Sequence, residues 1–404
     1  MAGIYAFTIL LLIFAFGEIM AQKTKAVLST TLVIAISLML LFWTIFSPTF
    51  YPAGNALFQH AEVAKIGMIL IGPLIVGIGT MMDFNELARQ IVTVVVSVGC
   101  LVIGVVFIIL VGPLFINETM AIAGAPIFAG ANVATLIMKE TLEAKGLADV
   151  ATFCVLILVT QNLVGIPVTS QFLKREARKF INDPAQVAKY SEVIDAGSVA
   201  VKNRFEITAL RDLSNKFDKP SAVFAKLALV SCLGFFLAGL TGGKVHYFVA
   251  ALLMGVILSE IGFLEKNVLT KIDSGGFVIF VTTMVIFTNL AGTSPQQIMS
   301  MFFPLLTLLL LGVVGVIIAG VILAKIFKIS PYLAISLGLT CTYGFPTTMF
   351  ISKEVAEAVG RDETEVRALT NYILPKMIMA GIATVTIASV VVAGYVAANI
   401  IGKM

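Results

Sequence analysis

Polar side chains with oxygen or amide groups interrupt several long apolar stretches of this 404-residue chain. Such oxygens are suitable ligands for a sodium ion, particularly where a helix is broken and backbone carbonyls become available. The candidates for a sodium site are Thr160, Gln161, Asn162 and Thr340. A single threonine in an apolar helix more often bonds its own backbone, so the consecutive Thr-Gln-Asn run is the stronger indication.

A second set of polar residues could bind a small anionic solute. Lys376 lies nine residues after Arg367, which places it about 13 Å along a helix from that end. A charge at that depth costs about 2.5 kcal/mol or more unless it has a partner or a wet cavity. Lys376 could pair with an anionic substrate, occupy a cation site in place of a second sodium ion, or bond backbone carbonyls structurally. The other candidates for substrate binding are Asn132, Thr342, Thr347, Thr348 and Asn371.

The composition indicates that these residues lie in helices of a membrane protein. Hydrophobic residues make up 59% of the chain, charged residues only 12%, and the mean hydropathy is +1.03, far outside the range of soluble proteins. Apolar stretches long enough for transmembrane helices predict an all-α polytopic membrane protein. They lie at about 3–21, 26–48, 63–82, 90–113 and 148–172, and again at 221–240, 245–263, 275–292, 299–324 and 368–398.

An octapeptide occurs twice, as KETLEAKG at 139–146 and as KEVAEAVG at 353–360. At the same offset of 214 residues, Gly124 pairs with Gly338 and Gly130 pairs with Gly344. Each octapeptide alone is ordinary helix-forming composition. Its recurrence within two halves of about five apolar stretches each predicts an internal repeat.

The charge distribution predicts that the two repeats are inverted. The basic cluster that opens the polar linker 174–220 belongs in the cytoplasm, and this requires the stretch at about 120–146 to enter and leave on one face. That stretch is apolar but broken by glycine and proline, as is its counterpart at about 331–360, so each is predicted to be a re-entrant hairpin. The predicted organisation is an N-terminal repeat (1–173), a cytoplasmic linker (174–220) and a C-terminal repeat (221–404), with both termini extracytoplasmic.

Several other classes of function are disfavoured. The four cysteines lack metal-ligand spacing, and the formal charge of +4 mainly records membrane topology, so it does not indicate nucleic-acid binding. The sequence has neither an HExxH nor a GxSxG motif, and its two histidines lie outside the hairpins, which argues against a membrane enzyme.

The chain resembles the glutamate:sodium symporter family, and more distantly the citrate-type 2-hydroxycarboxylate symporters. The resemblance covers both halves and rests on GIGTMMDFNEL at 77–87, GVILSEIG at 255–262, the two glycine-rich hairpins and the order of spans around them. In place of a Gly-His-Gly-Thr-Gly run, the first hairpin reads AGANVAT, which disfavours glutamate as the substrate.

This resemblance implies sodium-coupled symport of a small anionic carboxylate or amino acid by an elevator motion. It also implies a homodimer in the cell membrane, with the lipid bilayer and a small anionic solute as its other partners. A proton-coupled carrier and an amino-acid exporter stay open as alternatives. A channel is a further alternative, because broken helices can also line a pore.

Overall fold

A computed structural model of the chain describes residues 2–24, 30–44, 63–81, 88–130, 132–191, 207–215, 219–242, 245–271, 275–287, 294–344 and 347–403. Of these residues, 89% are helical and none lies in a strand. The first half forms α1 (Ala2–Lys23), α2 (Thr30–Thr44), α3 (Val63–Gly79), α4 (Ile91–Val111), α5 (Glu118–Phe128), α6 (Asn132–Ala144) and α7 (Ala148–Ile181).

Two short helices follow, α8 (Pro184–Ser191) and α9 (Thr208–Asn215). The second half forms α10 (Pro220–Leu240), α11 (Tyr247–Glu260), α12 (Gly275–Phe287), α13 (Pro295–Phe327), α14 (Pro331–Leu339), α15 (Thr347–Val359), α16 (Glu363–Ile382) and α17 (Ser389–Asn399). A π-helical turn, Ala383–Ala388, joins α16 to α17. The predicted linker therefore begins inside α7, and its residues 192–206 lie outside the described ranges.

The order of helices is the same in both halves. A shift of 214 residues brings α1, α2 and α3 onto α10, α11 and α12, and brings α4 onto α13, which extends further at its N-terminal end. The same shift brings α5 and α6 onto α14 and α15, and α7 onto the continuous segment α16–α17. The offset that the octapeptide indicates therefore applies to every long helix.

The predicted multi-pass membrane protein is consistent with the helix lengths. Within the described ranges, six helical segments are long and apolar enough to cross a membrane: 4–21, 91–114, 148–181, 220–240, 295–327 and 363–399. The remaining predicted spans correspond to shorter apolar helices at 30–43, 69–79, 247–260 and 276–287. Parts of those four predictions, such as 45–48 and 288–292, fall outside the described residues.

The helices pack into two groups, each drawn from both halves. Body A consists of α1, α2 and α3 with α10, α11 and α12. Its aromatic contacts include Phe7 against Phe280 at 5.6 Å and Phe14 against Phe280 at 5.2 Å between ring centroids. Body B consists of α4 to α7 with α13 to α17, and its largest helix contact is between the equivalent helices α4 and α13.

The two sequence segments that carry the family resemblance contact each other inside body A. A Cβ on Gly79 would lie 2.7 Å from Leu252 O, and one on Gly255 would lie 2.4 Å from Val76 O. These glycines therefore allow α3 and α11 to cross with their backbones in contact, as small residues do in membrane helices. Thr80 Oγ1 also accepts a hydrogen bond from Val268 N at 3.1 Å. Residues 82–87 of the first segment are outside the described ranges.

Bodies A and B meet through several smaller contacts. Helix α2 contacts α7, α12 contacts α6, α11 contacts α17, and α3 contacts the π-helical turn. One of these contacts is polar and buried: Lys139 Nζ on α6 donates to Val285 O on α12 at 2.9 Å. Lys139 is only 4% exposed and also lies 3.5 Å from Glu143.

Helix α7 and the segment α16–α17 run in opposite directions. Just before the start of α7, Lys145 Nζ donates to Gly402 O at 2.9 Å, three residues beyond α17. Just after its end, Asn182 Oδ1 accepts from Arg361 Nη2 at 3.3 Å, immediately before α16. Side-chain caps fix where two helices of body B begin. The Asp362 side chain accepts from Glu365 N at the start of α16, and the Asn117 side chain accepts from Thr119 N at the start of α5.

Candidate functional site

The breaks in the two predicted hairpins lie next to each other inside body B. The first break separates α5 from α6 and the second separates α14 from α15. Cys341 Sγ, near the second break, lies 3.9 Å from Phe128 O at the end of α5. Both positions are buried. The backbone groups that the two breaks release therefore face a shared region in the protein interior.

Each break lies between two helices, which we call the first arm (α5 or α14) and the second arm (α6 or α15). A glycine follows the first arm at each break, namely Gly130 and its equivalent Gly344. Gly130 N donates to Ile127 O, and Gly344 N donates to Thr340 O at 2.8 Å. Gly344 has a φ of +62°, in the left-handed region that disfavours other residues. The glycine at this position thus permits the turn that separates the arms.

Helix α7 contacts both breaks from one side. Gln161 Nε2 donates to Gly130 O at 2.9 Å. One turn further along, a Cβ on Gly165 would lie 1.9 Å from Thr342 Oγ1, so the Thr342 hydroxyl sits directly on the α7 backbone. Gln161 of the Thr-Gln-Asn segment therefore lies beside the first break, and Gly165 of the same helix lies beside the second.

The segment α16–α17 contacts both breaks from the other side. Thr384 lies in its π-helical turn, with its Oγ1 atom 3.4 Å from Thr340 Oγ1. A Cβ on Gly130 would lie 2.7 Å from Ser389 Cβ, and one on Gly381 would lie 2.7 Å from Thr348 Cγ2. Single π-helical turns inside α-helices occur frequently at functional sites.

Several buried oxygens of residues at the breaks have no hydrogen-bond partner within the described part of the chain. They include Gln161 Oε1, on a residue that is 2% exposed, and Thr348 Oγ1, on a residue that is fully buried. An unsatisfied buried oxygen costs about 1–3 kcal/mol. Each such atom calls for an explanation, and an ion at the site is one.

Three of the candidate threonines donate to their own helix. Thr160 Oγ1 donates to Leu156 O, Thr340 Oγ1 to Leu337 O and Thr342 Oγ1 to Leu339 O, at distances of 2.6 to 2.9 Å. Donation uses the hydroxyl proton and leaves oxygen lone pairs able to coordinate a cation. These bonds are therefore compatible with a local structural role and with ligation.

Asn132 and Thr347 occupy corresponding places, because each begins the second arm at its break. Thr347 is 6% exposed and Asn132 is partly buried. The first turn of a helix presents free backbone N–H groups, which favour an anion. Both residues therefore lie where an anionic solute could contact the break.

Asn162 faces a different region from Gln161. It lines a cavity of about 220 Å³ between α7 and α15, together with Ser170 and Glu354. Glu354 belongs to the second octapeptide. This cavity brings Asn162 of the first half of the chain close to Glu354 of the second half.

Lys376 and Asn371 lie with the short helix α8 instead of at the breaks. Lys376 Nζ donates to Tyr372 O at 2.6 Å and lies 3.9 Å from the Tyr372 ring centroid and 5.4 Å from that of Tyr190. Asn371 Nδ2 donates to Tyr190 O at 2.9 Å. Glu176, which is 4% exposed, accepts from the Tyr372 hydroxyl at 2.9 Å. Cation–π contacts and a nearby carboxylate thus surround the lysine.

Thr384, Ser389 and Glu176 are polar residues of these regions that the sequence-based selection misses. Thr384 and Ser389 could be found from the run TVTIAS in the middle of an otherwise apolar stretch. Glu176 gives a weaker signal because it stands within the basic run KREARK, where an acidic residue reads as a surface group.

A comparison of the chain with protein-family profiles gives no match, and a comparison with curated protein sequences gives none either. The functional argument therefore depends on the geometry of the two breaks and on the residues around them.

Proposed function

We propose that this protein is a secondary active transporter that couples a sodium ion to the movement of a small anionic carboxylate or amino acid. The observation that carries the proposal is the meeting of two broken helices at buried oxygens that lack partners among the described residues. Broken helices inside a membrane protein are tolerated where they line a binding site, and paired breaks from two repeats are a feature of carriers.

The sodium site would lie between the first break and α7. Gln161 supplies its free Oε1 atom there, and its amide nitrogen is already held by Gly130 O. Thr160, Asn162 and Thr340 are further candidate ligands. Hydroxyl, amide and backbone carbonyl oxygens together satisfy the preference of sodium for oxygen.

The solute site would lie at the second break and along the helices that flank it. Thr342, Thr347 and Thr348 line the break, and the N-terminal end of α15 would attract a carboxylate through the helix dipole. Lys376 stays a candidate partner for the solute charge. Its contacts with two tyrosine rings are also consistent with a structural role.

Alternating access would follow from an inverted repeat, with body B moving as a unit against body A. The opposite directions of α7 and α16–α17 support the inversion, since these are equivalent helices. The smaller contacts between the bodies support a sliding motion, because a limited interface separates more readily than a large one. In this proposal, α5 with α6 and α14 with α15 form two re-entrant hairpins that enter the membrane from opposite faces.

Counterflow in proteoliposomes tests this function. Vesicles preloaded with an unlabelled carboxylate or amino acid should accumulate the labelled compound faster when sodium is present than when choline replaces it. Accumulation without acceleration by preloading would instead support a channel. The proposal would be rejected if the vesicles accumulated none of the carboxylates and amino acids tried, and if none of these compounds stabilised the purified protein.

Proton coupling is the second candidate, and one observation favours it. Glu176 Oε2 is buried and has no hydrogen-bond partner within the described ranges. A buried carboxylate of this kind can exchange a proton during transport. Uptake driven by a pH gradient in sodium-free medium, and lost on Glu176→Gln, would support protons in place of sodium.

A further inference from the structure

A cavity of about 660 Å³ opens between body A and body B, away from the two breaks. Body A contributes the end of α10 and the start of α11, including Phe235, His246 and Tyr247. Body B contributes Glu140 and Thr141 from α6 and the end of α17. Any molecule bound here would contact both bodies.

The walls of the cavity combine stacked aromatic rings with one carboxylate. The rings of His246 and Tyr247 stack at 4.4 Å between centroids, and the Phe235 ring meets Tyr247 edge-on at 5.0 Å. The Tyr247 side chain and the Glu140 carboxylate line the same cavity. His246 Nδ1 accepts from Phe248 N, which holds its ring in place at the start of α11. The aromatic surface is therefore fixed beside the carboxylate.

This pairing is chemically suited to an organic ammonium ion. Aromatic faces attract a cation by about 0.5–2 kcal/mol, and a carboxylate adds a charged partner. No Lys or Arg occurs among the described lining residues of the cavity. The remaining surface is apolar, with Ala238, Ala397 and Ala398, and would accept an aliphatic chain.

We propose that this cavity is a binding site for an ammonium group that carries an aliphatic chain. Its Glu140 carboxylate would pair with the ammonium, the Phe235 and Tyr247 rings would contact the carbon atoms next to it, and the alanine-lined wall would receive the chain. The ligand could be an amine from solution or the ethanolamine headgroup of a bilayer lipid, because both present the same primary ammonium. Binding at this site does not depend on the transport activity proposed above.

Hexylammonium is the probe for this site, and 1-hexanol is its neutral counterpart. Purified full-length protein in nanodiscs made only of phosphatidylglycerol should bind hexylammonium measurably by calorimetry and should bind 1-hexanol at least tenfold more weakly. Glu140→Gln should lower hexylammonium affinity at least tenfold. Glu354→Gln is the matched control, because it changes the equivalent glutamate of the second octapeptide and should leave hexylammonium affinity unchanged.

Phe235→Leu gives an independent test, since it keeps apolar volume and removes the ring, and we expect at least a threefold loss of affinity. Unchanged affinity in Glu140→Gln, or equal binding of hexylammonium and 1-hexanol, would overturn the proposal. Nanodiscs that contain phosphatidylethanolamine distinguish the two ligand sources. A tenfold weaker hexylammonium affinity in those nanodiscs, seen with the wild type and not with Glu140→Gln, identifies the lipid as the occupant. Equal affinity in both lipids identifies a soluble amine.

Discussion

Replacing Gln161 with alanine should remove two separable contributions to stability. The first is the hydrogen bond from Gln161 Nε2 to Gly130 O at 2.9 Å, in a site that is 2% exposed. Losing the donor leaves a buried carbonyl unsatisfied, at about 1–3 kcal/mol. The second is any free energy from sodium bound at Gln161 Oε1, which amounts to about 2.7 kcal/mol at a concentration one hundred times the dissociation constant.

The two contributions respond differently to the ion. The lost hydrogen bond lowers thermal stability equally in sodium chloride and in choline chloride. The lost ligand abolishes only the difference between the two salts. Thermal unfolding of the purified protein at matched ionic strength measures both, with a sodium titration for each variant.

Thr152→Ala is the matched control on the same helix. Thr152 is buried and its hydroxyl donates to Ala148 O at 3.0 Å, so this change removes a hydrogen bond on α7 far from the breaks. It should lower stability in both salts and keep the full sodium increment. A full sodium increment in Gln161→Ala as well would refute the placement of sodium at this residue.

Three further substitutions probe the breaks and their surroundings. Gly344→Ala should lower the unfolding temperature more than Gly276→Ala, because a left-handed φ of +62° costs a residue with a Cβ about 1–2 kcal/mol, whereas a methyl group at Gly276 meets no heavy atom within 4 Å. Asn162→Ala should weaken the sodium-dependent stabilisation less than loss of Gln161 does, as sodium titrations would show, because its side chain lines the neighbouring cavity. If Lys376 pairs with the solute although it lies away from the breaks, Lys376→Gln should abolish carboxylate binding while sodium still stabilises the protein. Undiminished carboxylate affinity would remove Lys376 from the solute site, and altered ion dependence with retained affinity would indicate a cation site.

The lengths and the order of the apolar stretches predict most of the helices, because the helix length needed to cross a bilayer is a strong physical constraint. Helix α4 begins within one residue of its predicted start, and α7 begins at the predicted residue 148. The end of α7 differs, since the helix continues to Ile181 through a polar stretch that hydropathy assigns to the linker. Tertiary contacts explain the extension: Phe180 is 2% exposed and its ring stacks on that of Tyr372 at 4.5 Å.

Sequence reasoning identifies some residues of the candidate site and misses the surroundings of others. Polar residues beside glycine and proline, such as Gln161 and Thr348, can be identified from sequence because both signals coincide within a short segment. Lys376 shows the limit of that reasoning. Its depth in the apolar stretch can be counted, but its tyrosine partners come partly from α8, which is separated from it by more than 180 residues of sequence. Depth alone cannot reveal which neighbours a folded chain brings to a charge.

The two copies of the octapeptide occupy unequal environments, and this inequality leads to a last prediction. Lys139 is buried against Val285 O across the boundary between bodies A and B, whereas its equivalent Lys353 is exposed. In a carrier with inverted repeats, the opposite-facing state arises when the repeats exchange conformations. The offset of 214 then assigns Lys353 a partner in that state, namely the backbone at Ile71 on α3, the position equivalent to Val285.

Cysteine pairs can detect this exchange in a background from which the four native cysteines are removed. A bifunctional thiol reagent as long as the lysine side chain should cross-link Lys139→Cys with Val285→Cys in the state described above, because the contact is made by the tip of Lys139. The same reagent should cross-link Lys353→Cys with Ile71→Cys in the opposite-facing state. Because one body cannot occupy both positions at once, sodium or solute should raise the yield of one pair while it lowers the yield of the other. Two results together would count against the elevator motion: the yield of the 139–285 cross-link does not change with any ion or solute, and the 71–353 cross-link does not form under any condition. They would show that the two octapeptide lysines do not exchange roles.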